Sequence, residues 1–298
     1  MTPDWIAVDW GTSNLRAWGM GEGGALATAS SDQGMGTLTR EGFEPALLAL
    51  IGDWLAPGKQ TPVYACGMVG ARQGWVEASY RPTPCPPVAA MGLCPVATLD
   101  PRLSVQIVPG LSQSKPDDVM RGEETQIAGA LALDPDFDGV ICLPGTHSKW
   151  AHVSAGEVVS FQTFMTGELF ALLAAQSVLR HGIAAKGEDP DAFDAAVSEA
   201  LSRPERLAAR LFSLRAEGLL NNLSSVSARA RLSGLLIGAE LAGAKPYWLG
   251  QRVRLIGSET LSASYARALA AQGVVAEPLP AAECTLAGLA VASGKAKA

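Results

Sequence analysis

The apolar run Trp5–Val8 reaches Asp9 without a polar interruption, which predicts a buried strand, and Gly11 then turns the chain. Residues 5 to 32 read as two strands joined by the glycine turn GEGG, the second carrying Ala25 to Ala29. Helical spacing follows, with Phe43, Leu47, Leu48, Ile51 and Leu55 on one side of the segment from Glu41 to Leu55. Residues 62 to 75 form a short β-rich run that meets a glycine-spaced turn. The stretch RPTPCPPV (81 to 88) fits neither a regular helix nor a central strand, because its prolines remove donors and fix φ. Residues 76 to 102 are therefore expected to be an irregular excursion.

Ser104 to Val108 predicts another strand, closed by Pro109-Gly110. The segment DDVMRGEETQIAGALAL becomes helical between Arg121 and Glu124 and runs to Leu133. Gly139 to Leu143 is a buried strand, and PGTHSKW leads from it into a hairpin with its tip at Ala155-Gly156. From Thr166 to His181 the pattern is helical, and further helices reach about Leu241. RVRLIG then reads as a strand, SETLSASYARALAAQG as a helix ending at a glycine, VVAEPL as a strand and AECTLAGLAVASG as a last helix. Two halves emerge, each opening with strand, phosphate-type turn and hairpin. They meet near DPDFDG (134 to 139), which gives an α/β protein with domains at 1–133 and 134–298.

A chain of 298 residues is long enough for two such domains, since single cores rarely grow past roughly 250 to 300 residues. Its net charge of −6 argues against a nucleic-acid surface, which carries a clustered basic face, and favours a small-molecule partner. No apolar run approaches the ~18 residues of a membrane span, and the N-terminus lacks the basic and apolar regions of a signal peptide. The expected compartment is the cytoplasm. Five cysteines without a CxxC pair, and three histidines without an HExxH pattern, leave disulfide and zinc chemistry unsupported.

Three turns carry candidate chemistry. In IAVDWGTSNLR (6 to 16) a carboxylate stands at a strand end and backbone N–H groups point into the turn, which suits a metal ion and phosphate oxygens. In ICLPGTHSKW (141 to 150) Gly145 relaxes the turn and Thr146, His147, Ser148 and Lys149 offer closely spaced donors for a phosphate, although the P-loop pattern is absent. In LIGSETLSASY (255 to 265) a strand runs through Gly257-Ser258 into a helix, where backbone can pack against an adenine ring or a phosphate. Each turn alone is common in α/β proteins.

Together their order and spacing resemble the superfamily of sugar kinases, heat-shock chaperones and actin. The strings DWGTSNLR (9 to 16), CGMVGARQGW (66 to 75), DVMRGEETQ (118 to 126), LPGTHSKW (143 to 150) and TFMTGELFALL (163 to 173) closely resemble the 2-dehydro-3-deoxygalactonokinase family over essentially the whole chain. The resemblance implies two ribonuclease-H-like (actin-like ATPase) domains, each a mixed sheet flanked by helices, around a central cleft that holds ATP and Mg²⁺. It also implies phosphorylation of the terminal 6-hydroxyl of 2-dehydro-3-deoxygalactonate, a sugar acid. Asp9 would organise the metal. Gly11, Thr12, Ser13 and Asn14 would line the phosphates, Gly145, Thr146 and His147 would form an opposing turn, and Gly257, Ser258 and Ser262 would sit by the nucleotide.

For the general base the resemblance points to an acid where the first domain's last strand passes into a helix, and Asp118, Glu123 and Glu124 compete. A helix already running at Val119 puts Glu123 on a face with Val119, Ile127 and Ala130. A helix beginning after Gly122 puts Glu124 in its first turn, and Glu124 is preferred. An acidic protein must place cations locally to attract an acid, so Arg72 and Arg121 are the expected carboxylate forks, with Gln73, Trp75 and Tyr80 against the carbon chain and its hydroxyls. Arg16 is expected to pin the first turn. A kinase for another sugar or sugar acid, and an ATP-hydrolysing switch without an acceptor, are the alternative readings. The oligomeric state stays open, a homodimer being one option.

Overall fold

A computed structural model describes residues 2–89 and 91–295 of the protein. The chain divides into two compact units. The first comprises the residues up to Asp138, Val153–Ser160 and the stretch from Pro280; the second comprises Gly139–His152 and Phe161–Leu279.

In the first unit, β1 (Trp5–Trp10), β2 (Leu15–Gly21), β3 (Gly24–Ser31), α1 (Phe43–Ile51), β4 (Thr61–Gly67), β5 (Arg81–Pro82), β6 (Cys94–Val96), β7 (Leu103–Ile107), β8 (Leu111–Ser114), β9 (Asp117–Met120) and α2 (Glu123–Leu133) follow in order. The main sheet is ordered β3-β2-β1-β4-β7-β6, with β1 antiparallel to β2 and parallel to β4. Strand alternation assigns the two faces of β1. Ile6, Val8 and Trp10 pack with Phe43, Leu47 and Ile51 of α1, whereas Trp5 and Ala7 pack with Ala128 of α2 and Leu289 of the C-terminal helix. Asp9 has the parity of Trp5 and Ala7, so its carboxylate emerges on the α2 side at the end of the strand.

In the second unit, β10 (Gly139–Leu143), β11 (Ser148–Ser154), β12 (Glu157–Phe164), α3 (Thr166–Ala175), α4 (Pro190–Ser202), α5 (Leu207–Leu220), α6 (Ser225–Gly243), α7 (Lys245–Trp248), β13 (Val253–Gly257), α8 (Glu259–Ala270) and β14 (Ala276–Pro280) follow, with the β11–β12 hairpin end Val153–Ser160 and the last residue of β14 grouped with the first unit. Their sheet runs β12-β11-β10-β13-β14, with β10 parallel to β13. A hairpin, a central strand and a parallel neighbour therefore stand in the same order in both sheets. The last helix, α9 (Ala281–Ala292), belongs to the first unit.

Several sequence expectations needed revision. Residues 5–32 make three strands rather than two, because the turn at 11–14 already reverses the chain between β1 and β2. The helix expected over 41–55 is α-helical only at Phe43–Ile51, flanked by short 3-10 turns at Arg40–Gly42 and Gly52–Trp54. The helix expected from Thr166 to His181 stops at Ala175 and resumes as a 3-10 turn capped by Ser177. The excursion at 76–102 is not wholly irregular: β6 joins the main sheet, and β5 joins β8 and β9 in a small second one. The segment before Gly122 is strand β9, not the start of a helix.

α2 and α9 cross at glycines. A Cβ on Gly129 would lie 1.8 Å from the Cys284 carbonyl oxygen, and one on Gly288 would lie 1.8 Å from that of Thr125. Gly129→Ala is therefore expected to cost about 1–3 kcal/mol or more through overpacking. Gly218→Ala, on an exposed position of α5 with nothing within 4 Å, should be neutral or stabilising by about 0.5–1 kcal/mol. Urea unfolding of the two variants measures the contrast, and equal midpoints would show that the crossing tolerates a methyl group.

Candidate active site

In the first unit the end of β1, the end of β4 and the start of α2 converge through two glycines. Gly67 (φ +90°) and Gly122 (φ +103°) both occupy the left-handed region that favours glycine. A Cβ on Gly67 would lie 2.8 Å from the Trp10 carbonyl oxygen and 3.6 Å from Asp9 Oδ1, and one on Gly122 would lie 3.2 Å from Gly67 Cα. Side chains there would push the three chain ends apart. Gly122 also ends β9 and opens α2, which puts Glu123 and Glu124 in the first helical turn, where the helix dipole favours a carboxylate.

Asp9 faces Arg16 across the β1–β2 ladder, and Arg16 Nη2 donates to Asp9 Oδ2 at 2.5 Å. Burial raises the Asp9 carboxyl above its ordinary value, against the opposing pull of Arg16 and with a smaller push from the Glu123 charge. Glu124 is fully buried; its Oε2 accepts from the Gly122 N–H at 2.6 Å and its Oε1 from the Thr125 hydroxyl at 2.9 Å. Burial, and then the charge of Glu123, push its pKa to about 8. Glu123 is half-buried and accepts from the Arg121 N–H at 3.0 Å. Asp118 stands on β9, where its Oδ1 accepts from the Val119 N–H.

The turn after β1 is closed by the Gly11 N–H donating to Asn14 O at 2.9 Å, and it leaves the Thr12, Ser13 and Asn14 side chains exposed. A segment that was not singled out from the sequence braces it: Met35 N–H donates to Gly11 O and Gly36 N–H to Thr12 O, both at 2.9 Å. A Cβ on Gly34 would lie 2.3 Å from Thr12 O. The glycines flanking Met35 were the available signal.

The expected substrate residues separate. Arg121 is 9% exposed; its Cζ lies 4.4 Å from the Tyr80 ring centroid and its Nη2 donates to Ala78 O at 2.6 Å, while Nε and Nη1 have no hydrogen-bond partner. Arg72 is 81% exposed with Glu77 at 3.5 Å, and Gln73 is exposed beside it. Trp75 is buried against Trp10 and Phe43, within the core.

In the second unit the turn between β10 and β11 abuts the start of α3. A Cβ on Gly167 would lie 2.2 Å from Gly145 O, so glycine alone lets the helix approach, and the Glu168 N–H donates to Thr146 O at 2.9 Å. The exposed His147 pairs through Nε2 with Glu168 Oε2 at 2.7 Å. Gly257 is tight as well, since its Cβ would lie 3.0 Å from Pro144 O and 3.2 Å from Ser262 Oγ. These elements border a cavity of about 1130 Å³. Gly145, Thr146 and Ser258 line it, as do Thr166, Gly167, Gly187 and Arg229, which were not anticipated. Gly257, Ser262 and His147 are not among its lining residues. The TGELF string was visible in the sequence, but nothing in it assigned Thr166 and Gly167 to a cavity wall.

A model of the 2-keto-3-deoxy-galactonokinase family matches residues 9–292, and so takes in all three turns. The chain belongs to this family. A probable 2-dehydro-3-deoxygalactonokinase of Rhizobium meliloti is 42% identical over 97% of this chain and 96% of its own, and the 2-dehydro-3-deoxygalactonokinase of Escherichia coli is 37% identical over 92% and 91%. The crystal structure of a Sinorhizobium meliloti protein described as a 2-dehydro-3-deoxygalactonokinase superposes with a TM-score of 0.89 at 41% identity, covering 97% of this chain and 95% of that one. Two structures that are only 13% identical share the fold alone, with TM-scores of 0.51 and 0.52. The fold they share with this chain is a mixed α/β architecture with sheets flanked by helices. Among the described residues no helix is long and apolar enough to cross a membrane.

Proposed function

We propose that the protein transfers the γ-phosphoryl group of ATP to the terminal 6-hydroxyl of 2-dehydro-3-deoxy-D-galactonate, giving the 6-phosphate. The observation that carries the sugar-acid part is Arg121. A buried guanidinium with two unpartnered nitrogens is costly unless an anion completes it, and the substrate's carboxylate is such an anion. Arg121 also lies two and three residues before the acids at the start of α2. Arg72, solvated and loosely paired, is the weaker candidate. The first unit is the sugar-acid side and the second the nucleotide side, with reaction in the cytoplasm, where ATP is available.

Phosphoryl transfer demands positioning and charge neutralisation more than covalent help from the protein. The exposed donors of the Gly11–Asn14 turn contact phosphate oxygens. In the second unit, the Gly145–His147 turn and the first N–H groups of α3 form a phosphate cradle, and Ser258 with the start of α8 borders the nucleoside. Mg²⁺ fits the donor chemistry in one particular way. Among the described residues no group of three or more ligating side chains could hold a metal by itself, but a single carboxylate such as Asp9 is what Mg²⁺ needs when phosphates supply the other ligands. When bound, the ion would neutralise charge on the β- and γ-phosphates. Ionised Glu124 takes the proton from the acceptor hydroxyl: it is held in one orientation, and a pKa raised to about 8 makes its carboxylate a stronger base than an ordinary one.

ADP release measured with Mg-ATP and a panel of 2-keto-3-deoxy acids, aldonates and hexoses tests the reaction. Turnover is expected with the 2-keto-3-deoxy acids and not with neutral hexoses, and equal ADP release without any acceptor would leave only a nucleotide switch. Arg121→Met is expected to raise KM for the sugar acid on the order of 10²-fold, the worth of a lost charged hydrogen bond, with KM for ATP unchanged. An unchanged KM for the acid would show that Arg121 only packs against Tyr80.

A further inference from the structure

Outside the catalytic acids, one fully enclosed carboxylate gathers donors from three elements. Glu240, in the last turn of α6, is 3% exposed. Its Oε1 accepts from Trp150 Nε1 at 2.8 Å and its Oε2 from the Tyr265 hydroxyl at 2.7 Å. The hydroxyls of Thr166 and Ser148 bond to the same carboxylate, and Ser148 Oγ is also 2.9 Å from the Tyr265 hydroxyl. Ser148 and Trp150 open β11, Thr166 opens α3 and Tyr265 lies in α8. Thr166 and Tyr265 line the 1130 Å³ cavity, and Ser148 directly follows the Gly145–His147 turn.

An apolar side chain would serve ordinary helix packing at this position without the desolvation cost of a buried acid. A carboxylate offers four lone-pair sites across its two oxygens, and the donors that surround Glu240 engage both. Burial pushes the carboxyl up, and the hydrogen bonds oppose it. We infer that Glu240 is a positioning residue for nucleotide binding: it locks the phosphate turn, the start of α3 and the Tyr265 side of the cavity wall into one register. The inference rests on the second-unit cavity being the nucleotide site.

Glu240→Gln preserves volume but turns one acceptor into a donor, which must face an N–H or O–H group. Tyr265→Phe removes one hydroxyl and keeps the ring. Binding of a non-hydrolysable ATP analogue, measured by calorimetry on the full chain, is expected to weaken roughly tenfold or more in Glu240→Gln and by a smaller factor in Tyr265→Phe. KM for ATP should rise in parallel while KM for the sugar acid stays at the wild-type value, a split that a general loss of stability would not produce. Should Glu240→Gln fail to fold, the same split in Tyr265→Phe carries the test. Wild-type nucleotide affinity in the folded variants, or equal rises in both KM values, would overturn the inference. No binding of the analogue by the wild-type protein would remove the nucleotide reading itself, and the inference with it.

Discussion

Asp9→Asn is expected to lower kcat on the order of 10²–10³-fold, the loss usual when a preorganised charge aimed at the transition state is removed, while the protein stays folded. The substitution is nearly isosteric, and the group it leaves unpaired, Arg16, has a side chain 47% exposed that water can satisfy. The fold around the site does not depend on the charge: β1 is held by its ladders to β2 and β4, and Trp10 by Phe43, Trp75 and the Gln33 carbonyl. The chemistry does, because Asp9 is the carboxylate proposed to meet a phosphate-bound cation. A second expected signature is a higher Mg²⁺ concentration for half-maximal rate. Steady-state ADP release across a magnesium titration, with circular dichroism as the folding control, reads both. Wild-type turnover in the variant would remove Asp9 from the mechanism and leave its pair with Arg16 as a turn brace.

Much of this site was legible because its parts sit on strands with strong local signals. WIAV reads as a buried strand, which puts Asp9 at its end, whereas the face on which its carboxylate emerges came only with the packing of β1 against α1 on one side and α2 on the other. The start of α2 was ambiguous from sequence because DDVM fits the last residues of a strand or the first of a helix. A positive φ at Gly122 separates the strand from the helix, and Gly122 stands there close against Gly67, 55 residues away in the chain. The inward setting of Trp75 was not legible for a related reason: in a glycine-spaced turn no periodicity says which way an aromatic faces, and in the structure it packs against Trp10 and Phe43. The two arginines were indistinguishable as residue types. Burial of Arg121 beneath Tyr80, and exposure of Arg72, separate them only in three dimensions. Cavity walls such as Gly187 and Arg229 carry no local pattern at all, and the donors around Glu240 come from elements that meet only through tertiary packing.

Glu124→Gln should be as damaging as the loss of Asp9, lowering kcat by about 10²–10⁴-fold, the usual contribution of a general base. Glu123→Gln, half-buried and bonded to backbone, is expected to cost less. The pH dependence makes the assignment specific. With a carboxyl held protonated to about pH 8, the fraction of enzyme carrying the ionised base grows as pH rises, so kcat/KM should climb with pH along a limb near that value. The limb should be absent in Glu124→Gln. The same group shapes stability with the opposite sign. The unfolded chain gives up this proton at the ordinary glutamate value of 4.5 and the folded chain only near 8, so between those values folding takes up a proton and stability must fall as pH rises. In Glu124→Gln that part of the decline disappears. Urea unfolding from pH 5 to 8.5, on wild type and variant together, supplies the comparison. A shared stability slope, with the rising limb of kcat/KM retained in Glu124→Gln but lost in Glu123→Gln, would transfer the proton to Glu123. The limb retained in both variants would take the base out of the first turn of α2 altogether.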